Sequence, residues 1–332
     1  MIRLLVLLAA LIAQPVAAQT VRPWTEAVVS IADFAPFEAL LVGMGDWELR
    51  HQGDLDRSEL SYWDLHMDAS AEERLYCAPG TETGCIRFVQ FDAVEQEPMR
   101  PAARPWDTGG IFSLMVRSNN VDGLYRAALN LGWWAESPPI RFQFGTSDLK
   151  NVVITGPHGI NIAAYERISP EFTDFPVGLI SQAFNSMRMV RNRPVARDFY
   201  RSLGFSILFE SDAEALEPAW SNLSIPRNFT PIIRRSAAAL QPQPGETGRV
   251  EVMQIVGFEG RDHSARAMPP NLGILSVRYP VDDLAAYRAE LEAAGVPIIF
   301  AASDIALADR GPTDMIAVRS PDGALTEFYE VN

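Results

Sequence analysis

The chain contains an internal duplication, which limits its possible folds more than any other feature. The segment GPHGINIAAYE at residues 156–166 aligns without gaps with SPDGALTEFYE at residues 320–330, at an offset of 164 residues. A matching strand and helix pattern precedes each copy, at residues 110–127 and 273–289. Self-similarity at one fixed spacing is typical of chains built from repeated structural units. The two halves of the chain are therefore duplicates.

Each half also contains two smaller units. Residues 37–47 correspond to 195–205, and residues 84–90 correspond to 248–254. The chain thus divides into four modules of about eighty residues. In each module an apolar period of 3.6 residues is followed by short apolar segments with turn residues between them. This pattern predicts an α+β fold of four βαβββ modules.

A connector at residues 169–178 separates the two duplicated halves. Similar connectors rich in proline and glycine lie at 97–110 and 259–273, in the same place of each half. Because linkers of this composition favour domain boundaries, the sequence predicts two domains of two modules each, at residues 19–170 and 179–332.

The first eighteen residues have the pattern of a secretory signal peptide. Arg3 precedes an apolar run at residues 4–13, and Pro15 and the small residues 16–18 follow it. This order predicts a signal peptide at residues 1–18 and an exported protein, periplasmic or secreted. The alternative, a buried N-terminal helix, is disfavoured because the segment has no polar face. Ten apolar residues are also too few to span a membrane.

The two cysteines, Cys77 and Cys85, flank a turn-rich loop. Such a loop brings two antiparallel strands together, so we expect a disulfide between them in an oxidising compartment. A metal pair and a catalytic nucleophile are weaker alternatives, because neither the partner ligands nor an adjacent base lie nearby in the sequence.

Composition and charge exclude several classes of protein. Hydrophobic residues make up 48% of the chain, which is typical of globular domains and not of disordered chains. Acidic residues number 42 against 28 Lys and Arg, giving a formal net charge of −14. A nucleic-acid partner is therefore excluded, because phosphate backbones require basic surfaces. No membrane anchor is indicated, and the oligomeric state stays open.

Two stretches carry a resemblance to a known superfamily. Residues 192–205, NRPVARDFYRSLGF, and the turn 320–323, SPDG, followed by Glu327, are similar to the first helix and the closing strand of the vicinal oxygen chelate superfamily. This superfamily includes glyoxalases, extradiol dioxygenases and bleomycin-resistance proteins, and the resemblance covers nearly all of residues 25–332. It implies that modules pair their sheets into half-open barrels, two for this chain, which hold a small molecule, often through a divalent metal.

The metal site that the resemblance implies lacks its usual ligands here. Metal-dependent members place His or Gln on a module's first strand and Glu on its last. The first-strand positions fall near Gly110, Ser186 and Gly273, none of which can replace an imidazole. On the last strands Glu327 keeps the carboxylate, whereas its repeat mate is Ala163. We therefore assign no cofactor to the chain, and the binding of a divalent metal is left open.

Several side chains are candidates for a metal-free site. Glu327 in a barrel wall could act as a general base or acid, because burial disfavours its charged form. A rim carboxylate paired with an arginine is the alternative. Candidates for ligand binding are Gln90, Arg188, Glu251, Gln254 and Tyr329. The tryptophans that could line an apolar pocket or pack in the core are Trp63, Trp133, Trp134 and Trp220. The four histidines, His51, His66, His158 and His263, are interpreted as surface or structural residues because none has a neighbouring ligand.

These features favour a glyoxalase-like exported protein that binds or acts on a small organic molecule. The asymmetry between Glu327 and Ala163 places the predicted cavity in the C-terminal half, without the usual His-based metal site. A metal-dependent lyase or isomerase is one alternative, and a non-catalytic binding protein of the resistance type is another. An extradiol dioxygenase is disfavoured because its histidine positions fall on Ser186 and Gly273.

Overall fold

A computed structural model describes residues 21–307 and 309–332 of the chain. The predicted signal peptide, residues 1–18, lies outside the described residues. Each of the four predicted modules is present, and each begins with a strand followed by a helix.

Modules 1 and 2 occupy the first half of the chain. Module 1 consists of β1 Glu26–Ser30, α1 Ala35–Leu41, β2 Glu48–Asp54, α2 Arg57–Tyr62, β3 Ser70–Cys77 and β4 Cys85–Asp92. Module 2 consists of β5 Ser113–Arg117, α3 Val121–Asn130, β6 Trp134–Ala135, β7 Ile140–Phe144, β8 Ser147–Thr155 and β9 Asn161–Ser169. The short helix α2 in module 1 is an addition to the βαβββ pattern.

Modules 3 and 4 follow the same plan. Module 3 consists of β10 Ala183–Met189, α4 Arg193–Ser202, β11 Ser206–Glu214, β12 Arg234–Gln241 and β13 Arg249–Val256. Module 4 consists of β14 Gly273–Pro280, α5 Leu284–Ala293, β15 Ile298–Leu307, β16 Gly311–Arg319 and β17 Leu325–Val331. Short 3-10 helices at Pro157–Gly159, Arg227–Ile232 and Ser264–Arg266 lie in the connections.

The modules pair across the two halves of the sequence. Modules 1 and 4 form one sheet with strand order β15-β16-β17-β14-β1-β4-β3-β2. Modules 2 and 3 form the other, with order β11-β12-β13-β10-β5-β9-β8-β6 and β7 beside β8. Each sheet curls into a half-open barrel, as the resemblance implies. We call these the 1/4 barrel and the 2/3 barrel.

This pairing differs from the predicted division into residues 19–170 and 179–332, because each sheet takes one module from each side of that boundary. The first strands make the junction: β1 runs antiparallel to β14, and β5 runs antiparallel to β10. At the first junction the register places Glu26 opposite Arg278, both fully buried. Opposite charges on facing strands stabilise that pairing, whereas at the second junction Met115 faces Asn185 and Met187 faces Ser113.

Helices α2, α3, α4 and α5 begin at side-chain caps that the sequence encodes. In α4 the Asn192 side chain accepts a hydrogen bond from the backbone N of Val195, and Pro194 lies in the first turn. One face of α4 buries Ala196 and Tyr200. After α4 the chain turns at Gly204, where φ is +83°. A side chain there would be strained, so the Leu-Gly-Phe sequence ends the helix.

The apolar core among the described residues has three large clusters, and Leu75 forms a small fourth one with the two cysteines. The largest lies between the two sheets and includes helix residues such as Phe37 and Tyr200 with strand residues from both sheets. A second cluster fills the 1/4 barrel and includes Trp63, Met315 and Tyr329. A third lines the 2/3 barrel with the residues Phe112, Met115, Val153, Ala163, Phe184, Met187, Met189, Leu223, Ile225, Ile233 and Ile255. The two barrel interiors are thus separate sites.

The predicted disulfide is present. Cys77 ends β3 and Cys85 begins β4, and the two Sγ atoms are bonded. The neighbouring strands are antiparallel, as the turn-rich loop between the cysteines predicts. No helix among the described residues is long and apolar enough to cross a membrane.

Candidate functional site

Glu327 lies inside the 1/4 barrel, where its carboxylate is already fully engaged. Trp63 Nε1 donates to Glu327 Oε1 at 2.9 Å, while Ser276 Oγ and Arg278 Nε donate to Oε2 at 2.7 and 2.8 Å. The residue is fully buried. Three donors, one of them charged, therefore already occupy both oxygens of this carboxylate. These contacts therefore do not support the acid–base role that the sequence predicts for Glu327.

Arg278 joins Glu327 to a larger buried network. It also donates to Glu26 at 3.1 Å and to Glu59. Burial alone would lower the pKa of Arg278, but the carboxylates of Glu59, Glu327 and Glu26 outweigh burial and raise it well above its usual value. Arg278 is therefore a permanent cation surrounded by three carboxylates.

Arg87, on β4, extends the same network on the other side of β1. It donates to Glu26 at 2.9 Å, to Glu73 at 2.5 Å and to Asp309. Burial raises the pKa of Glu26, but Arg310, Arg87 and Arg278 outweigh burial and hold it well below its usual range. Beside its apolar cluster, the 1/4 barrel thus contains a network of buried opposite charges.

The residues of the 1/4 barrel do not fit the metal site that the resemblance implies. The carboxylates that could bind a cation are occupied by the guanidinium groups of Arg87 and Arg278, which would also repel a cation placed beside them. Among the described residues no group of three or more His, Cys, Asp or Glu is arranged to hold a metal ion. No step of the proposed chemistry is therefore assigned to a metal.

Two further predicted residues lie at or behind the walls of the 1/4 barrel. Tyr329 Oη lies 3.1 Å from Thr25 Oγ1 and accepts from Arg310, at the edge of the charged network. Gln90 lies two residues after Phe88, which packs in the core between the sheets. Because side chains alternate along a strand, Gln90 faces the helices and not the barrel interior.

The remaining predicted residues belong to module 3. Gln254 accepts a hydrogen bond from the backbone N of Arg193 at 3.1 Å, so it caps the start of α4. Arg188 is fully buried under α4, where its guanidinium lies 5.4 Å from the ring centre of Tyr200 and donates to Ser186 O and Oγ. Neither side chain faces the barrel interior, although the sequence predicts both as ligand-binding residues.

Glu251 does face the interior of the 2/3 barrel. Its neighbours on β13, Val250 and Val252, pack in the core between the sheets, so the alternation of side chains turns Glu251 to the other side. Among the described residues Glu251 forms no ion pair and no hydrogen bond through its carboxylate. Burial raises the pKa of Glu251 to about 7, although the residue is still partly accessible.

Small side chains lie beside Glu251 on the neighbouring strand. Ala239 lies directly opposite it on β12, and Ala237 lies two residues further along the same face. Burial, and in addition the Glu251 carboxylate, raises the pKa of Tyr165, whose ring packs against the interior cluster. A phenol and a carboxylate are both groups that can donate or accept a proton.

A cavity of about 360 Å³ lies at the module 2 end of the 2/3 barrel. It is closed on one side by the connector around Arg100 and Arg104, which the sequence shows as a proline-rich stretch without any functional signal. Its lining residues are Pro98, Arg100, Pro101, Ala102, Ala103, Arg104, Pro105, Phe112, Trp134, Glu136, Val153, Thr155, Gly156, His158, Gly159 and Asn161. This volume suits a small organic ligand.

The cavity and Glu251 lie on the same sheet, in one row of paired residues. The register joins Glu251 to Met187, Met187 to Ser113, Ser113 to Asn161 and Asn161 to Thr155. Neighbouring strands are about 4.8 Å apart, so Asn161 is roughly 14 Å from Glu251 along the sheet. The curl of the barrel makes the direct separation shorter.

Two other residues considered in the sequence analysis line the cavity, Trp134 and His158, although the sequence predicts a surface or structural role for His158. Trp134 is half exposed there, and His158 lies in the turn that closes it. Trp133 is buried in the core, whereas Trp220 is largely exposed. The cavity lies within residues 98–161, not in the C-terminal half where the sequence predicts it.

Comparison with known proteins adds a fold but no sequence relative. No protein-family profile and no curated protein sequence matches the chain. Glyoxalase I from Zea mays is similar in structure, with a TM-score of 0.60, 12% identity, and 93% of this chain and 92% of that chain covered. A protein with a proposed dioxygenase activity from Bacillus subtilis subsp. subtilis str. 168 gives a TM-score of 0.56 at 11% identity, covering 95% of this chain and 86% of that one. Both neighbours belong to the vicinal oxygen chelate superfamily, and the chain has the fold of that superfamily.

Proposed function

We propose that the chain binds a small organic molecule in the 2/3 barrel and acts on it by proton transfer, with Glu251 as the proton acceptor. The observation that carries this proposal is the isolated position of Glu251, which faces a barrel interior and has no cation partner among the described residues. A carboxylate with a pKa of about 7 is half ionised near neutral pH, where it can both accept and return a proton. A lyase or isomerase reaction that proceeds by proton transfer needs a general base of this kind.

The proposal places the working site in the 2/3 barrel and gives the 1/4 barrel a structural role. It replaces Glu327 by Glu251 as the catalytic candidate, because the oxygens of Glu327 are held by Trp63, Ser276 and Arg278. It does not require a metal. The metal-dependent lyase has no supporting ligand set in either barrel among the described residues.

A non-catalytic binding protein remains the second candidate. It is favoured by the cavity itself, which a ligand can occupy without contacting Glu251. The two candidates differ in one measurable property, since a binding protein saturates with ligand and forms no product.

We also propose that the protein is exported. The support comes from the signal-like N-terminal segment and from the Cys77–Cys85 disulfide, because such bonds persist in oxidising compartments. Fractionation of the cells that produce the protein, with mass determination of the N-terminus, tests this directly. Export predicts a chain that begins at Gln19 in the periplasmic or secreted fraction.

Carbon–hydrogen exchange tests the catalytic proposal without knowledge of the natural substrate. The purified protein is incubated in D2O with a panel of 2-oxo acids, hydroxyketones and hydroxyaldehydes, and deuterium uptake is followed by NMR. Glu251→Gln should lower the exchange rate by about 100-fold or more, because it removes the general base. The control is Glu214→Gln, an exposed position on β11 of the same sheet, which should keep the wild-type rate.

The pH dependence of the exchange rate is a second test of the role of Glu251. Exchange by the wild type should rise through about pH 7 and then level off, following the ionisation of Glu251. Equal exchange by wild type and Glu251→Gln would contradict the assigned role. Saturable binding with no exchange across the panel would favour the non-catalytic candidate.

A further inference from the structure

Arg100 is a buried cation at the cavity without a carboxylate partner. The residue is only 6% exposed and lines the cavity. Its Nη1 donates to Gly109 O and its Nη2 donates to Asp107 O, both at 2.6 Å. Both acceptors are neutral backbone carbonyls. Of the five N–H groups of the guanidinium, three have no acceptor among the described residues.

The nearest carboxylate does not neutralise Arg100. Asp107 accepts from the backbone N of Arg104 and of Arg261, and its Oδ2 also accepts from the Arg261 side chain at 3.0 Å. Burial lowers the pKa of Arg100 to about 10, and Asp107 offsets this effect in part. The folded protein therefore keeps an incompletely compensated positive charge beside the cavity.

The buried arginines of the 1/4 barrel show the contrast. Arg87 and Arg278 each contact three carboxylates, and those carboxylates raise both pKa values well above the usual range. Buried charges in proteins are normally paired in this way. An arginine that is buried but unpaired, beside an open cavity, has the environment of a group whose partner is a ligand.

Other polar groups at the cavity agree with an anionic ligand. Arg104, on the same connector, is exposed at the cavity and forms no ion pair among the described residues. Burial lowers the pKa of His158, which keeps its ring neutral. His158 Nε2 accepts from Ala32 N at 3.4 Å, so the ring proton lies on Nδ1 and can be donated. Glu136 is the one carboxylate in the lining, and it accepts a hydrogen bond from Ser224.

We infer that the cavity binds an organic acid, with the carboxylate of the ligand on the guanidinium of Arg100. The apolar part of the ligand contacts Phe112 and Trp134, which line the same cavity. A planar guanidinium with free N–H groups matches a carboxylate in geometry as well as in charge. This inference deepens the proposed function and rests on its claim that the ligand binds in the 2/3 barrel, at whose module 2 end the cavity lies.

A purely structural role for Arg100 is the competing explanation. Its two bonds to the carbonyls of Asp107 and Gly109 hold the connector in a closed loop. A structural role affects folding stability and predicts no preference for charged ligands. The experiment must therefore measure a preference between ligands and not stability alone.

Calorimetric titration with matched probes makes that distinction. The full-length mature protein is titrated with 3-phenylpropionate, its neutral amide 3-phenylpropionamide and phenylethyl phosphate. Arg100 should make the carboxylate bind at least about tenfold more tightly than the amide, as expected for a charged hydrogen bond inside a cavity. Tighter binding of the phosphate than of the carboxylate would overturn the assignment of an organic carboxylic acid.

Two variants test whether Arg100 causes the preference for the carboxylate over the amide. Arg100→Gln should reduce the carboxylate-to-amide ratio to about twofold or less, whereas Arg126→Gln, an exposed arginine on α3, should leave it unchanged. If Arg100→Gln does not fold, the ratio measured on the wild type at two salt concentrations still tests the inference. Buried charges are screened little by salt, so the preference should persist.

The outcomes separate the two proposals. Equal binding of carboxylate and amide contradicts the role of Arg100 and leaves the cavity as a ligand site. Binding of none of the three probes contradicts both. A carboxylate preference that survives Arg100→Gln overturns the inference and leaves the proposed function intact.

Discussion

The two barrels have the same architecture but opposite interiors. Arg87 and Glu251 occupy corresponding positions on the fourth strands of modules 1 and 3. In the 1/4 barrel this position is an arginine held by three carboxylates, whereas in the 2/3 barrel it is a carboxylate without a counter-charge among the described residues. The two duplicated barrels thus differ in their interiors: the buried charges of the 1/4 barrel are paired with one another, whereas Glu251 in the 2/3 barrel has no counter-charge among the described residues.

The difference shows how a duplicated fold can separate stability from function. Buried ion pairs cost desolvation energy, and they persist when each charge finds several partners. The 1/4 barrel meets this condition through Arg278 and its three carboxylates. In the 2/3 barrel Glu251 and Arg100 do not meet it, so both should respond to a ligand. The predictions below test this contrast, from the largest expected effect to the smallest.

Removing Arg278 should cause the largest loss of stability. Arg278→Leu leaves Glu26, Glu59 and Glu327 buried without their shared cation, which typically costs about 3–5 kcal/mol. Urea denaturation measures the free energy of unfolding. The control is Arg288→Leu, which removes an exposed pair with Glu292 and should change stability by less than about 1 kcal/mol. Similar losses of unfolding free energy in both variants would show that the buried network stabilises the protein no more than an exposed ion pair does.

Glu251 should make the folded protein less stable as the pH rises. Its pKa is about 7 in the folded protein and 4.5 when unperturbed, so the folded state binds more protons between these values. The free energy of unfolding therefore falls by about 2–3 kcal/mol across this window. Glu251→Gln should lose this dependence. The measurement is urea denaturation of both proteins between pH 4.5 and 8, and parallel curves would contradict the isolated position of Glu251.

Substitution of the two glutamines at corresponding positions, Gln254 and Gln90, should change the stability of the protein less than the substitutions above. Gln254 accepts from Arg193 N at the start of α4, and Gln254→Ala should cost about 1 kcal/mol, as for other helix caps. Gln90→Ala should cost less, because no hydrogen bond of Gln90 is found among the described residues. Thermal denaturation of the two variants gives the comparison, and equal losses would argue against the capping role.

The modules and the disulfide could be predicted from sequence because both depend on local patterns. Repeats, turn residues and the spacing of Cys77 and Cys85 identify strands that are neighbours along the chain. The pairing of modules could not be predicted in this way. Module 1 can pair with module 2 or with module 4, because modules 2 and 4 are of the same type. The choice depends on contacts between strands that are distant in sequence, such as Glu26 with Arg278.

The site residues were harder to predict because successive side chains of a strand point to opposite faces of the sheet. An irregularity in the pairing of β10 with β5, between Ala183 and Asn185, changes which side chains face the barrel. A shift of one residue moves a side chain to the opposite face, as happened with Arg188. Arg100 was missed for another reason. It lies in a connector without a motif, and only the closure of that connector over module 2 brings it to the cavity.

The central claim is that ligands enter the 2/3 barrel and not the 1/4 barrel. Methyl NMR of selectively labelled methionines tests it, since Met115, Met187 and Met253 line the 2/3 barrel and Met315 lies inside the 1/4 barrel. On titration with 3-phenylpropionate, we expect shifts at the first three and an unchanged Met315. Shifts at Met315 with the other three unchanged would contradict the account.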